Sequence, residues 1–193
     1  MSREEQKKLT RQRILDAAGR SFRKSGFGGI GVDGLAKAAG VTSGAFYVHF
    51  DSKSAAFTEA VASGMQELKH GVRHFQETHG PNWWPEFVHF YLGERRVCDL
   101  SESCALQSLS AEVARSDPAA RAVFEAALRE VAAIVVAGPA SADAPADLNA
   151  AWAALAALVG AVTLARAVAD PALSAHIAAA AERTLLPSLQ SRK

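Results

Sequence analysis

No stretch of this 193-residue chain keeps the apolar–polar alternation of a half-buried strand. Cap residues, glycines and prolines instead cut it into lengths with helical spacing. Apolar or small residues recur at Ile14, Ala17, Ala18, Ser21 and Phe22, which predicts an amphipathic helix over 9–24 ended by Gly26. Two short helices follow, over 32–39 and from the turn at Gly40-Val41-Thr42 to about residue 50. Asp51 or Ser52 suits the cap of a helix over 53–74, and further helices are expected over 85–97 and 105–114. Ser116-Asp117-Pro118 and Asp170-Pro171 each combine a cap with proline at the first helical position. They start helices expected over 118–137 and 171–186, with another over 145–169 between them. The expected fold is all-α, with about nine helices.

Composition narrows the class. At 49% hydrophobic and 21% charged, the chain is an ordinary globular protein, neither disordered nor fibrous. Two cysteines, Cys98 and Cys104, cannot staple a secreted framework. The first 24 residues carry eight Lys/Arg and no long apolar core, so they do not resemble a signal peptide. Residues 150–169 have Arg166 as their only charge, but their side chains are small and the mean hydropathy of the chain is near zero. A packed helix in a cytoplasmic protein, with no membrane partner, is the expectation.

The net charge of +1 conceals an asymmetry. Up to Lys53 the chain holds ten Lys/Arg against five Asp/Glu, a net +5; the remainder holds eleven against fifteen, a net −4. A basic module on an acidic body is the distribution expected of a nucleic-acid-binding domain carried by something else.

The two short helices form a helix-turn-helix pattern. Gly40 suits the turn, Val41 plugs the corner, and Thr42 or Ser43 caps the second helix and leaves its first N–H groups facing phosphate. Phe46 and Phe50 point inward at i, i+4, so Thr42, Ser43, Gly44, Ala45 and Tyr47 are the side chains placed near a major groove. Catalysis has no comparable signal: no triad, Gly-rich phosphate loop or paired carboxylates mark an active site. His70 and His74 stand at a spacing able to chelate a metal, with His79 and His89 nearby, but a solvated helix face explains the pair. No cofactor or metal is expected. Cys98 and Cys104 flank a polar stretch and read as small hydrophobes at helix ends rather than as redox sensors.

Residues 10–61 carry Ile14-Leu15-Asp16-Ala17-Ala18, Gly26-Phe27, Leu35-Ala36, Ala39-Gly40-Val41-Thr42, Gly44-Ala45-Phe46-Tyr47, His49-Phe50 and Ser52-Lys53. This constellation resembles the DNA-binding domain of the TetR family of bacterial regulators. The resemblance implies a helix-turn-helix domain over 1–52 and a helical ligand-binding and dimerisation domain over 53–193. It implies a homodimer bound to a double-stranded DNA operator, most simply a repressor released by a small-molecule inducer. Thr42, Ser43, Gly44 and Ala45 would face bases and backbone; Tyr47, His49 and Lys53 match positions that hold phosphates, with Arg11 beside them. Gly31 stands where the family usually has Thr or Ser, which removes one hydroxyl contact to phosphate.

Beyond residue 61 the resemblance is one of outline. Family members hold their ligand among the middle helices, which here carry Met65, Trp83, Trp84, Phe87, Phe90, Tyr91, Leu106 and Phe124. Those residues favour an apolar or aromatic inducer. The last two helices pair the subunits in the family, which points to Trp152, Leu155, Val159, Val162 and Leu185.

Overall fold

Ser2 and Glu5 open the first helix by capping each other's backbone: Glu5 N donates to Ser2 Oγ at 3.2 Å, and Ser2 N to Glu5 Oε2 at 2.6 Å. The computed structural model describes residues 2–189, and those residues form ten α-helices, no strand and three 3₁₀ turns. They group into two compact units, one of residues 2–65 and 99–126, the other of 66–98 and 127–189.

In the first unit α1 (Arg3–Ser25) buries Ile14, Ala17, Ala18 and Phe22 and stops at Gly26. It starts six residues before the expected position because the capping box, not the apolar stripe, sets its first turn. Helices α2 (Val32–Ala38) and α3 (Ser43–His49) meet at a turn in which Gly40 has φ +66° and Val41 N donates to Ala36 O at 2.9 Å. That left-handed backbone is what a glycine supplies without steric cost. Helix α4 (Lys53–His79) is capped by Ser52 Oγ, which accepts from Ala55 N at 3.0 Å. Its first half brings Phe57 edge-on to Phe22 at 5.2 Å between ring centroids. Phe22 is fully buried, and truncating such a ring to alanine costs about 3–5 kcal/mol. Helix α7 (Ala105–Ala114) completes this core with Leu106, Leu109 and Val113. Its Glu112 accepts from Phe27 N at 3.1 Å, and Arg23 donates to Ser101 O at 2.9 Å.

The second unit takes the rest of α4, then α5 (Trp83–Leu92) and α6 (Glu94–Val97). One helix was expected over 85–97; the chain leaves helical geometry at Gly93, with ψ −88°, and restarts. Helix α8 (Pro118–Val136) begins in the first unit, where Asp117 caps Ala120 N at 2.9 Å, and ends in the second. Helices α9 (Leu148–Ala167) and α10 (Pro171–Leu185) are joined by residues 168–170 and pack along each other. Asp147, not Pro145, starts α9, its carboxylate accepting from Ala150 N at 2.8 Å. Alanines at 151, 154, 161 and 165 make the buried face of α9 small, which lets neighbouring backbones approach. The core of this unit is aromatic: Trp83, Trp84, Phe87 and Tyr91 are buried, and Trp83 Nε1 donates to Pro139 O at 2.9 Å.

Candidate nucleic-acid interface

The turn between α2 and α3 leaves one face of α3 uncovered. Phe46 and Phe50 pack inward, 5.5 Å apart, while Tyr47 and Val48 are 55% and 67% exposed. Thr42 Oγ1 caps α3 by accepting from Ala45 N at 3.1 Å. Thr42 and Gly44 are exposed, and Ser43 and Ala45 half-buried. Of the predicted α3 residues, Thr42, Gly44 and Tyr47 are thus accessible and Ser43 and Ala45 partly so.

Two of the predicted phosphate-holding cations already have partners inside the first unit. Arg11 pairs with Glu59 at 2.5 Å and lies 4.8 Å over the Phe50 ring. Lys53 Nζ sits 4.2 Å over the Phe27 ring. Arg11 thus ties α1 to α4 behind the end of α3, and Lys53 holds the start of α4 against the loop after α1. A phosphate contact from Lys53 would add to, rather than replace, its ring contact.

Sequence reasoning missed two features. One is a cleft of about 490 Å³ between the first turns of α1 and the end of α3, lined by Ser2, Arg3, Gln6, Lys7, Thr10, Val48 and His49. Its signal was the capping box Ser2-x-x-Glu5, which carries the helix back to Arg3. His49 Nδ1 is buried there without a hydrogen-bond partner. Burial, with Lys7 and Arg11 beside it, pushes the His49 imidazole below its usual pKa. The other is Asp33 on α2, which accepts a 2.5 Å bond from Ser43 Oγ. Ten residues separate the two, so no local pattern could reveal it.

The comparisons bear on this same segment. Residues 14–60 match the family model for bacterial regulatory proteins of the tetR family. Over that segment, about a quarter of its length, the chain is similar to the TetR family. It is 52% identical over 50 residues to the HTH-type transcriptional regulator AcrR of Shigella flexneri, covering 26% of this chain and 23% of that one. The match to that curated relative therefore spans less than a quarter of its length. Over the whole chain the likeness is one of fold. E. coli NemR in its reduced form superposes with a TM-score of 0.72 at 20% identity, over 91% of this chain and 94% of that one. A TetR-family regulator from Cytophaga hutchinsonii gives 0.72 at 21% identity, over 96% of each chain.

Outside the TetR-type helix-turn-helix, the expected ligand residues are divided. Met65 and Leu106 are buried and Phe124 half-buried in the first unit. Trp83, Trp84, Phe87 and Tyr91 are buried in the second, with Phe90 half-buried. Trp84 Nε1 is buried without a hydrogen-bond partner. Of the expected dimer residues, Leu155, Val162 and Leu185 are buried within this chain. Trp152 and Val159 stay partly open, on a stripe with Leu148, Ala156 and Thr163.

His70 and His74 are exposed and pair locally, His70 Nε2 with Gln66 at 3.0 Å and His74 Nδ1 with Thr78 at 3.4 Å. His89 meets Glu182 at 3.1 Å. No three His, Cys, Asp or Glu among the described residues gather to hold a metal. Both cysteines are free thiols; Cys98 Sγ accepts from Arg166 Nη2 at 3.1 Å, and Cys104 precedes α7. Helix α9 alone among the described helices is long and apolar enough to cross a bilayer, with 39% of its apolar window buried.

Proposed function

We propose that this chain is a cytoplasmic, homodimeric transcriptional regulator that binds an operator and loses affinity for it when a small apolar or aromatic inducer binds. It acts as a repressor, not as an enzyme. The observation that carries this reading is the uncovered edge of α3, with Thr42, Gly44 and Tyr47 exposed beside the basic first turns of α1. The family match over residues 14–60 supports it. In the proposed division, residues 1–52 read DNA and 53–193 sense ligand and pair subunits. Thr42, Ser43, Gly44 and Ala45 approach base edges and backbone, and Tyr47, His49 and Lys53 fix register on phosphates.

Pairing of subunits is supported by the apolar surface that α9 and α10 leave outside: Leu148, Leu164 and Leu173 are 51%, 59% and 45% exposed. On a near-palindromic operator a homodimer would place its two recognition helices about 34–36 Å apart, one turn of DNA. The aromatic residues of α5 support an aromatic or apolar ligand, and the buried Trp84 N–H offers it one hydrogen bond. The inducer shifts DNA affinity only by the difference in its own affinity for the two conformations.

The test is footprinting of the intergenic DNA upstream of the gene at fixed salt, with and without a panel of aromatic compounds. A near-palindromic protected site that one compound releases is the expected result. Purified protein that protects no DNA between 50 and 200 mM salt overturns the reading.

A further inference from the structure

The recognition face is short of hydrogen-bond donors. From Val41 to Val48 no residue is Arg, Lys, Asn or Gln, the side chains that read guanine or adenine bidentately. Gly44, Ala45 and Val48 offer no polar side-chain atom. Thr42 Oγ1 is already an acceptor in the cap of α3. Ser43 has one hydroxyl proton, and it is committed to Asp33 Oδ1 at 2.5 Å. Besides the Thr42 hydroxyl proton, what remains at the start of α2 and α3 is a pair of acceptors: the Asp33 carboxylate, exposed, and the Ser43 oxygen bonded to it.

A carboxylate on a face turned toward phosphates lowers affinity for every sequence. It recovers that loss only where a base edge presents a donor. In the major groove, guanine O6 and N7 and thymine O4 are acceptors and would repel it; adenine sets its N6 amino group beside the acceptor N7. Cytosine offers its N4 amino group with no acceptor beside it on that edge.

On the reading that this face binds DNA, we infer that Asp33, oriented by Ser43, accepts from the N4 amino group of one cytosine in each operator half-site. Asp33 is then a specificity-determining residue that acts as much by rejecting the other bases as by holding this one. Ser43 is its positioning residue. The hydroxyl holds one carboxylate oxygen, so the other is left to face the base.

Selection of bound duplexes from a randomised library, followed by titration of the winning duplex and its single-base variants at one salt concentration, tests this. With wild-type protein, one C·G pair per half-site should be required, and each replacement there should weaken binding about ten-fold. Asp33→Ala should lose discrimination at that pair alone and bind a scrambled duplex more tightly. Asp33→Asn, which keeps the shape and exchanges an acceptor for a donor, should move the preference toward A·T. Ser43→Ala should weaken discrimination at the same pair, and Ser43→Thr should keep it. Asp33→Ala that discriminates at every position as wild type does, or loses discrimination at all positions equally, overturns the inference and leaves the regulator reading intact. Wild-type protein that selects no duplex overturns both.

Discussion

Gly64 and Gly71 lie seven residues apart on α4, yet replacing each by alanine should move stability in opposite directions. A Cβ on Gly64 would stand 2.5 Å from Ala105 Cβ, at the start of α7, with Ala105 Cα at 3.9 Å. Two carbons rest at about 3.5–4.0 Å, so α4 and α7 would have to separate by roughly 1 Å. Ala105 has no rotamer through which to yield. Overpacking of this kind costs about 1–3 kcal/mol, and the helix propensity gained over glycine returns at most ~1 kcal/mol. Because both clashing carbons are fixed to helical backbone, the net loss should be about 1–2 kcal/mol, or about 2–8 °C in Tm for a chain of this size. A Cβ on Gly71 meets nothing within 4 Å, so Gly71→Ala keeps the propensity term alone and should raise Tm by about 1–4 °C. Circular dichroism melts at one protein concentration measure both. The double variant Gly64→Ala/Ala105→Gly removes the clash and should melt close to wild type. Gly64→Ala melting at or above wild type would refute the close approach of α4 and α7.

Tyr47→Phe and Lys53→Ala should both weaken binding to any duplex, and Lys53→Ala should flatten the slope of log affinity against log salt by about 1 per subunit; titrations from 50 to 200 mM salt check this. Arg11→Ala should leave that slope nearly unchanged while lowering stability by less than ~1 kcal/mol, because its pair with Glu59 is about 40% exposed on both sides; a urea melt and the same titration separate the two effects. His49 should titrate below 6.5 by NMR, since burial and then Lys7 and Arg11 disfavour the imidazolium, and Lys7→Gln should raise its midpoint toward the ordinary value. The unfolded chain then binds the proton more readily, so this group's contribution to stability is full above pH 6.5 and lost as pH falls through the folded midpoint. Val159→Arg should dissociate the proposed dimer in sedimentation velocity runs without lowering helix content.

The helix-turn-helix was legible because its signals are local. Gly40 with φ +66°, the Thr42 cap and the inward Phe46–Phe50 pair all act within ten residues. The start of α1 was also written locally, in Ser2-x-x-Glu5, but a search for apolar periodicity passes over the charged run from Arg3 to Lys8. The outward face of α9 was not legible. A helix apolar on nearly every side gives periodicity no direction, so Leu155 and Val162 could not be told from Trp152 and Val159 until α10 was seen packed against one side. Asp33 and Ser43 belong to the same class of hidden feature. Each reads alone as an ordinary first-turn residue, and only the angle between α2 and α3 brings them together.

The charge of the first 53 residues illustrates how a count and a structure differ. Ten Lys/Arg suggest a uniformly basic module, but Arg11, Arg13, Arg23 and Lys53 are engaged by Glu59, Ala39 O, Ser101 O and the Phe27 ring. These four side chains join helices and loops, and a phosphate would have to share them. Arg3 and Lys7 are different: they are exposed, and they line the cleft that ends at His49. On the proposed reading these two add a non-specific attraction for phosphate beside α3, on a helical turn that lies ahead of the matched residues 14–60, to that of the exposed Lys8, Arg20, Lys24 and Lys37. Asp33 sits on the other side of the recognition face, at the start of α2. On the proposed reading, a cation pair that binds any sequence and a carboxylate that rejects most of them would divide affinity from specificity between two elements. Removing Arg3 and Lys7 should weaken all duplexes alike, whereas removing Asp33 should tighten the wrong ones.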